Sequence, residues 1–425
     1  MTSCGMFREP LNEDTMNYLG LRFAAAAACL SMACGAKDPK TPDDSTQGGS
    51  SNTAGTGGSS SNSTAGTAGT VSAVGGSAPN GGTAGTGGAP PVHQVGDCKD
   101  LGDIDEFENI TPPGIEVAAN VLVDPVNSGT IYLGTAKQGV YKSTNCGSDW
   151  TRVNTGAGAE VINTGWQWSM GIDPVFPNVL YAGSLYGSDV SLQKSTNGGV
   201  DWISLFPKGG NVETTVDYNF LQELAMDPDK ERNNHLVVSF HADCKGATGK
   251  QCLADSDDGG ATWRIFKGPS NAWEENARPF ILDKDKYLYV TWAGGAWYSP
   301  DRGGTWEKFA EGGNHQVYKT SEGIWHLGSA FGMMTSPDGR TWTKIERSPQ
   351  GDGLWGDGTR LFAGLRNAGD DQQPYFVSPE VGAPDWQPFP SPPMGHGGVW
   401  FRYDADHNLM YSASAESGLW RFKTK

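Results

Sequence analysis

The sequence predicts an all-β fold, a seven-bladed β-propeller whose last blade is closed by an N-terminal strand, and three observations carry this. A turn motif ending in tryptophan recurs six times, four short apolar runs surround each copy, and all 15 tryptophans lie at or beyond Trp150. The segregation of aromatic residues sets the domain plan. Between Asp38 and Val92 there is no aromatic residue, no Leu and no Ile, so this stretch lacks the apolar surface to offset its chain entropy. Residues 35–97 therefore read as a disordered Gly/Ser/Thr-rich tether with a mean reach of roughly 40 Å. Residues 98–425 must hold the whole core, a length suited to a repeat architecture.

The turn motif appears as Ser143-Thr-Asn-Cys-Gly-Ser-Asp-Trp150, Ser195-Thr-Asn-Gly-Gly-Val-Asp-Trp202, Ser256-Asp-Asp-Gly-Gly-Ala-Thr-Trp263 and Ser299-Pro-Asp-Arg-Gly-Gly-Thr-Trp306. Ser336-Pro-Asp-Gly-Arg-Thr-Trp342 is one residue shorter, and Ser378-Pro-Glu-Val-Gly-Ala-Pro-Asp-Trp386 is one longer. Asn145, Asn197, Asp258, Asp301 and Asp338 are placed to accept backbone N–H groups inside the turn, and the glycines permit positive φ. The tryptophan then leads into the next strand as a large packing element. These acidic turns lack the ligand spacing of a calcium loop, so no metal site is expected.

The strand pattern is clearest in Trp168 to Pro174, Val179 to Ser184, Val190 to Ser195 and Trp202 to Leu205, four short strands making one blade. Innermost strands are expected to start near Ala119, Trp168, Leu221, Arg278, His315, Leu354 and Val399. The seventh blade has no turn motif, because the chain ends at Gly418 to Lys425. Phe107 to Pro112 is expected to supply its missing outer strand and so remove an open edge. That closure brings Cys98 near the turn containing Cys146 and points to a bridge between them. Cys244 and Cys252 flank a short loop and read as a second disulfide, a staple worth roughly 2–3 kcal/mol. From the count of four cysteines alone, three connectivities remain possible.

The N-terminus reads as an export signal over residues 1–34. It has a basic lead from Asn17 to Arg22, an apolar stretch from Phe23 to Met32 that is too short to span a membrane, and small residues before Cys34. The acidic Glu9, Glu13 and Asp14 fit a translation start at Met16 or Met6 better than one at Met1. Leu30-Ser31-Met32-Ala33-Cys34-Gly35 resembles a bacterial lipobox, with Ser31 at the usual Leu position. That resemblance implies an acylated Cys34 and an extracytoplasmic lipoprotein; the alternative is a plain secretory signal.

The repeated turn resembles the Asp-box, or BNR repeat, of the sialidase-like propeller superfamily. The unit Asp173-Pro174, Asn178, Tyr181-Ala-Gly183 and Lys194 to Gly199 is most similar to that of xyloglucan hydrolases. The resemblance implies a ligand face opposite the box turns. Candidates for chemistry on that face are His241, His315, His396, Arg278, Tyr218 and Glu274, with Glu275, Asp352 and Asp371 as further carboxylates. Candidates for substrate binding are Trp166, Tyr186, Asp189, Trp273, Arg366 and Asp370. His235 and His407 map to the turn face, His326 to mid-strand and His93 to the tether.

Hydrolysis of a glycosidic bond would use two carboxyl groups, from among Glu274, Asp352, Asp370 and Asp371. Elimination from a uronate would use an arginine to neutralise the carboxylate and a His or Tyr to take the adjacent proton. The expected function is therefore cleavage of a poly- or oligosaccharide, uronate-bearing ones included, by a glycoside hydrolase or polysaccharide lyase. The alternative is a non-catalytic glycan-binding or protein-interaction propeller. A true sialidase is disfavoured, since no Arg-Ile-Pro stands near the first blade. Net charge of −17 disfavours nucleic acid and anionic membranes as partners, leaving a lipid anchor as the one membrane contact. No cofactor is expected, and the molecule reads as a monomer.

Overall fold

The computed structural model describes residues 89–425 except 187–190, 208, 217–220, 248–250, 270–276, 292–293, 312–315, 330, 367 and 370–372. The export signal, Cys34 and most of the tether lie outside the described residues. Seven four-stranded sheets follow one another along the chain. Their innermost strands are Ala118–Val123, Trp166–Ile172, Leu221–Met226, Arg278–Asp283, Val317–Lys319, Gly353–Gly356 and Trp400–Asp404, each starting within two residues of its expected position. Second strands such as Ile131–Thr135 and Leu180–Leu185 are buried along their whole length. They lie inside a blade that is covered on both faces, which is why they read as continuous apolar runs.

Closure follows the predicted plan. Phe107–Asn109 pairs antiparallel with Gly418–Lys423, Phe107 opposite Phe422 and Asn109 opposite Trp420. The buried Phe107 ring lies 4.5 Å from that of Phe422, 4.8 Å from Tyr375 and 5.6 Å from Phe389. Arg421 adds a 2.7 Å bond to Glu108 and a 2.8 Å bond to the Cys146 carbonyl. Disulfides join Cys98 to Cys146 and Cys244 to Cys252. Ordered pairing begins slightly before Cys98, because Gln94–Val95 runs parallel to Asn127–Ser128. His93, expected in the tether, bonds Asp406 at 2.9 Å, so the last residues assigned to the tether are docked on the propeller.

Five Ser-x-Asx turns share one bonding scheme. The serine hydroxyl donates to the Asx side chain at 2.8–3.0 Å and accepts from a glycine N–H at 2.8–2.9 Å. In the turn of blade four, Asp301 accepts from Thr305 N at 2.7 Å and from its hydroxyl at 2.9 Å. Backbone N–H bonds from Thr341 and Arg340 hold the Asp338 carboxyl down at about 2. Gly303 has φ +82°, and a Cβ there would meet the Phe266 ring at 2.2 Å, so two constraints select glycine. The sixth turn departs from the scheme. Glu380 turns instead to Tyr318, whose hydroxyl donates to it at 3.0 Å, and to Gly358 N at 2.8 Å.

The turn face carries inter-blade links. His235 bonds Asp227 at 2.7 Å and the Tyr287 hydroxyl of the next blade at 2.8 Å. His407 bonds Asp404 at 3.0 Å and the Gly96 carbonyl at 3.0 Å. Both histidines are on the face to which the strand order assigns them. His326 is buried within its strand, and that burial lowers it to about 4, so it stays neutral.

Candidate functional site in the central channel

Around the axis the inner strands enclose a cavity of about 590 Å³ that takes residues from all seven blades. Its walls are aromatic and aliphatic, among them Phe280, Tyr318, Trp325, Trp355 and Trp400, and its polar groups are few: Glu223, Asp229, Arg278, Gln316, Lys319 and Arg402. One end is the layer where inner strands begin. The other, with Asp229, Lys319 and Trp325, lies where the paired strands lead into the Ser-x-Asx turns.

The first layer is assembled by backbone irregularities. Register shifts recur at the same end of three successive inner strands, between Ala118 and Asn120, Gln167 and Ser169, and Leu221 and Glu223. A bulge re-aims a side chain. Trp168 sits within the second, and its indole N–H donates to Glu223 Oε1 at 3.0 Å. Glu223, at the third, is 3 % exposed, and its Oε1 lies 3.3 Å from Arg278 Nε. The Arg278 guanidinium lies 4.5 Å from the centre of the Trp400 ring. Arg402, two residues along the same strand, lies between Trp355 at 5.1 Å and Trp400 at 5.7 Å. The Arg278 to Trp400 contact is buried, the setting in which cation–π packing is strongest, whereas Arg402 and Trp355 are half-buried.

The electrostatics follow from burial. Loss of water pushes the Glu223 carboxyl up to about 7, against the opposing pull of Arg278, of hydrogen bonds from Ser169 and Trp168, and of Arg402. Burial likewise lowers Arg402 to about 10, with Glu223 resisting and Arg278 adding to the fall. The layer thus holds two guanidinium groups against a carboxyl group whose protonated form burial favours.

Of the residues nominated from sequence, Arg278 lines this cavity. Arg366 and His396 are brought together beside it. The His396 Nδ1 bonds the Arg366 carbonyl at 2.6 Å, the Arg366 guanidinium bonds Glu416 at 3.0 Å and sits 5.4 Å from the Trp168 ring, and Arg366 N donates to Asp352 at 2.9 Å. With Nδ1 donating to a carbonyl, Nε2 of His396 is the acceptor nitrogen. Trp166 and Tyr186 form an edge-on pair with ring centres 5.9 Å apart. Tyr186 is 64 % exposed at φ +53°, a strained position for a tyrosine. His241 ends the second strand of blade three and is half-buried; it is not among the residues lining the channel. Tyr218, Glu274, His315, Asp189, Trp273 and Asp370 lie outside the described residues, as do Glu275 and Asp371.

Sequence reasoning missed Glu223, Arg402, Trp355 and Trp400. A signal was present, since Glu223 interrupts Leu221-Gln-Glu-Leu-Ala-Met226 and Arg402 interrupts Trp400-Phe-Arg-Tyr403. A charge inside an inner strand has nowhere to point but another blade or the axis.

Solved structures share this architecture. An ancestral GH74 enzyme aligns with a TM-score of 0.52 at 15 % identity, over 75 % of this chain and 46 % of its own. The extracellular domain of a hybrid two-component system from B. thetaiotaomicron aligns at 0.53 and 12 % identity, over 73 % and 40 %. What the likeness establishes is the propeller fold. A GH74 xyloglucanase from Xanthomonas campestris aligns at 0.48 with 17 % identity, over 75 % of this chain and 54 % of its own. The chain spans about half the length of these proteins, or less. No protein-family model matches the sequence, and no curated protein matches it significantly.

Proposed function

We propose that the protein is an extracytoplasmic, carbohydrate-active propeller that takes a uronate-bearing poly- or oligosaccharide into the central channel and cleaves its glycosidic bonds. The observation that carries this reading is the composition of the channel: tryptophan walls suited to the apolar faces of sugar rings, with Arg278 and Arg402 among them to meet a carboxylate. A volume of about 590 Å³ falls in the range of small-ligand sites. The half-buried Trp166 and the exposed Tyr186 supply a further stacking surface for a chain extending from the site. Export is supported by two disulfides, which persist in oxidising compartments.

The chemistry available is proton transfer beside a fixed cation. Glu223, raised to about 7, can hold a proton near neutral pH and give it to a leaving oxygen, as a general acid must. His396 is held on the Arg366 main-chain carbonyl and offers an imidazole as the base of an elimination, while the Arg366 guanidinium is engaged by Glu416. A second reading, retention of a glycan without cleavage, is favoured by one observation: Glu223 is already engaged by Trp168 and Arg278. A panel of neutral and acidic polysaccharides incubated with the purified protein tests both. Reducing ends alone indicate hydrolysis, reducing ends with ultraviolet absorbance from unsaturated uronates indicate elimination, and retention without either indicates a binding module. Inertness and non-retention across the panel would overturn the proposal.

A further inference from the structure

The buried layer at the head of the channel contains an incompletely satisfied cation. Arg278 is 4 % exposed, and neither its Nε nor its Nη1 completes a hydrogen bond, although Nε lies 3.3 Å from Glu223 Oε1. A buried guanidinium left this way is costly, because its donors have lost water without gaining acceptors. The charged groups that face it are Glu223 from blade three and Arg402 from blade seven; Trp400 covers its face, and Trp168 donates to the same Glu223 Oε1 that Arg278 Nε approaches. Asp229 and Lys319 belong to the opposite end of the cavity. Two arginines thus stand beside one carboxylate that already accepts from the Trp168 indole, and its approach to Arg278 Nε is poorly aligned.

We propose that this layer is a carboxylate-exchange site, in which the carboxylate of an anionic sugar takes the place of Glu223 against Arg278 and Arg402 while Glu223 becomes a neutral acid. The identity of the ligand as a uronate rests on the function proposed above; the exchange itself rests on the layer. The balance is one ligand carboxylate and one proton in, with no bond formed other than the O–H on Glu223. Glu223 and an incoming carboxylate would be held side by side against Arg278, and like charges that close raise the pKa of one of the two. The one that yields is the group held in low dielectric with the weaker hold on its charge. Glu223 is that group, since burial already favours its protonated form, whereas a uronate arriving from solvent is fully ionised. Neutral Glu223 keeps the hydrogen bond from Trp168 and can itself donate to the incoming carboxylate. Binding is therefore linked to proton uptake.

Isothermal titration of the full chain with D-galacturonate, with D-galactose as the neutral counterpart, tests this between pH 6 and 9. Apparent affinity scales with the fraction of protein in the competent, protonated form. With Glu223 titrating at about 7, that fraction falls about a hundredfold across the range, so the dissociation constant should rise by about that factor. At pH 8, titrations in buffers of different ionisation enthalpy should report about one proton taken up per ligand. Glu223→Gln, checked for native folding by circular dichroism, should bind galacturonate with no pH slope; should that variant fail to fold, the proton count in the unaltered protein decides. The exchange is overturned by absent galacturonate binding, by binding without proton uptake, or by a Glu223→Gln variant that keeps the full slope. Galactose bound in preference to galacturonate would overturn the exchange and leave a glycan function standing. Galacturonate bound with proton uptake, beside an inert polysaccharide panel, would support the exchange and overturn the cleavage reading.

Discussion

Phe107→Ala isolates the step that closes the propeller. The ring is 9 % exposed, sits within 5.6 Å of three other aromatic rings, and belongs to a strand of only three residues, Phe107–Asn109. The strand is also held on the last blade by its ladder to Gly418–Lys423, by the Arg421 to Glu108 bond, and on its flanks by bonds from Asp105 N to the Lys423 carbonyl at 2.8 Å, Ile110 N to the Leu419 carbonyl at 2.9 Å and Leu419 N to the Thr111 hydroxyl at 2.8 Å, so the variant reads the share of the ring alone. Removing a buried phenylalanine costs about 3–5 kcal/mol through lost transfer energy and the cavity left behind. For a folded region of this size, with an unfolding entropy of roughly 2 cal/mol/K per residue, that corresponds to a fall of about 6 °C in Tm. Differential scanning calorimetry reads the fall, and hydrogen exchange of amides 418–423 reads the loosened edge. Phe331→Ala is the control, because Phe331 is 56 % exposed and its loss should stay within about 0.5 kcal/mol. If Phe107→Ala costs no more than Phe331→Ala, or the amides of the last strand exchange no faster, the strand is not what closes the ring.

Four further outcomes are expected. Asp301→Ala, which loses bonds from Ser299, Thr305 N and the Thr305 hydroxyl, should lower stability by about 1–2 kcal/mol in urea denaturation without altering galacturonate binding, while Asp301→Asn, copying Asn145 and Asn197, should be near neutral. Replacing Cys98 and Cys146 by Ser, a pair 48 residues apart, should cost about 4 kcal/mol by loop-closure entropy, against about 2.5 kcal/mol for Cys244 and Cys252, 8 residues apart; equal losses would refute the ranking. Glu223 binds its proton more tightly folded, at about 7, than unfolded, at 4.5, so its contribution is full below pH 4.5, falls by about 3 kcal/mol as pH rises to 7, and should vanish from the stability–pH profile of Glu223→Gln. Tyr186→Gly should raise Tm by relieving a strained positive φ and at the same time weaken retention on any glycan the protein binds; retention unchanged would remove Tyr186 from the site.

The fold was legible because its signals are local and repeated. Each Ser-x-Asx turn writes its own hydrogen bonds within seven residues, as Ser299, Asp301, Gly303 and Thr305 do, and the tryptophan after it marks the next strand. The closing strand was legible for a different reason: the seventh blade lacks an outer strand in its own sequence, and Phe107 to Pro112 was the remaining β-like segment ahead of the first. Inner-strand starts fell within two residues of their expected positions. The small offsets at Trp166 and Trp168 arise where a register shift lengthens the strand, and a bulge leaves no mark in an apolar pattern.

The site was legible only in part, and the reason is geometric. Most pairs that define it join different blades: Trp168 with Glu223, Glu223 with Arg278, Arg278 with Trp400, Arg366 with Trp168. Propeller symmetry brings all inner strands to one axis, but which side chains meet there depends on how far each strand has slid along it. Three bulges set that slide for the first three blades, so Glu223 reaches Arg278 only because the strand holding it is out of regular register. Arg278 was found from sequence because a cation at the start of an inner strand is conspicuous on any register. Glu223 and Arg402 sit deeper, inside apolar runs, where a regular strand would have turned one of them into a blade and left it without a counter-charge. The same slide that hid the pair from the sequence is what places an ionisable acid between a tryptophan N–H and two arginines, and so makes the layer able to trade a proton for a ligand.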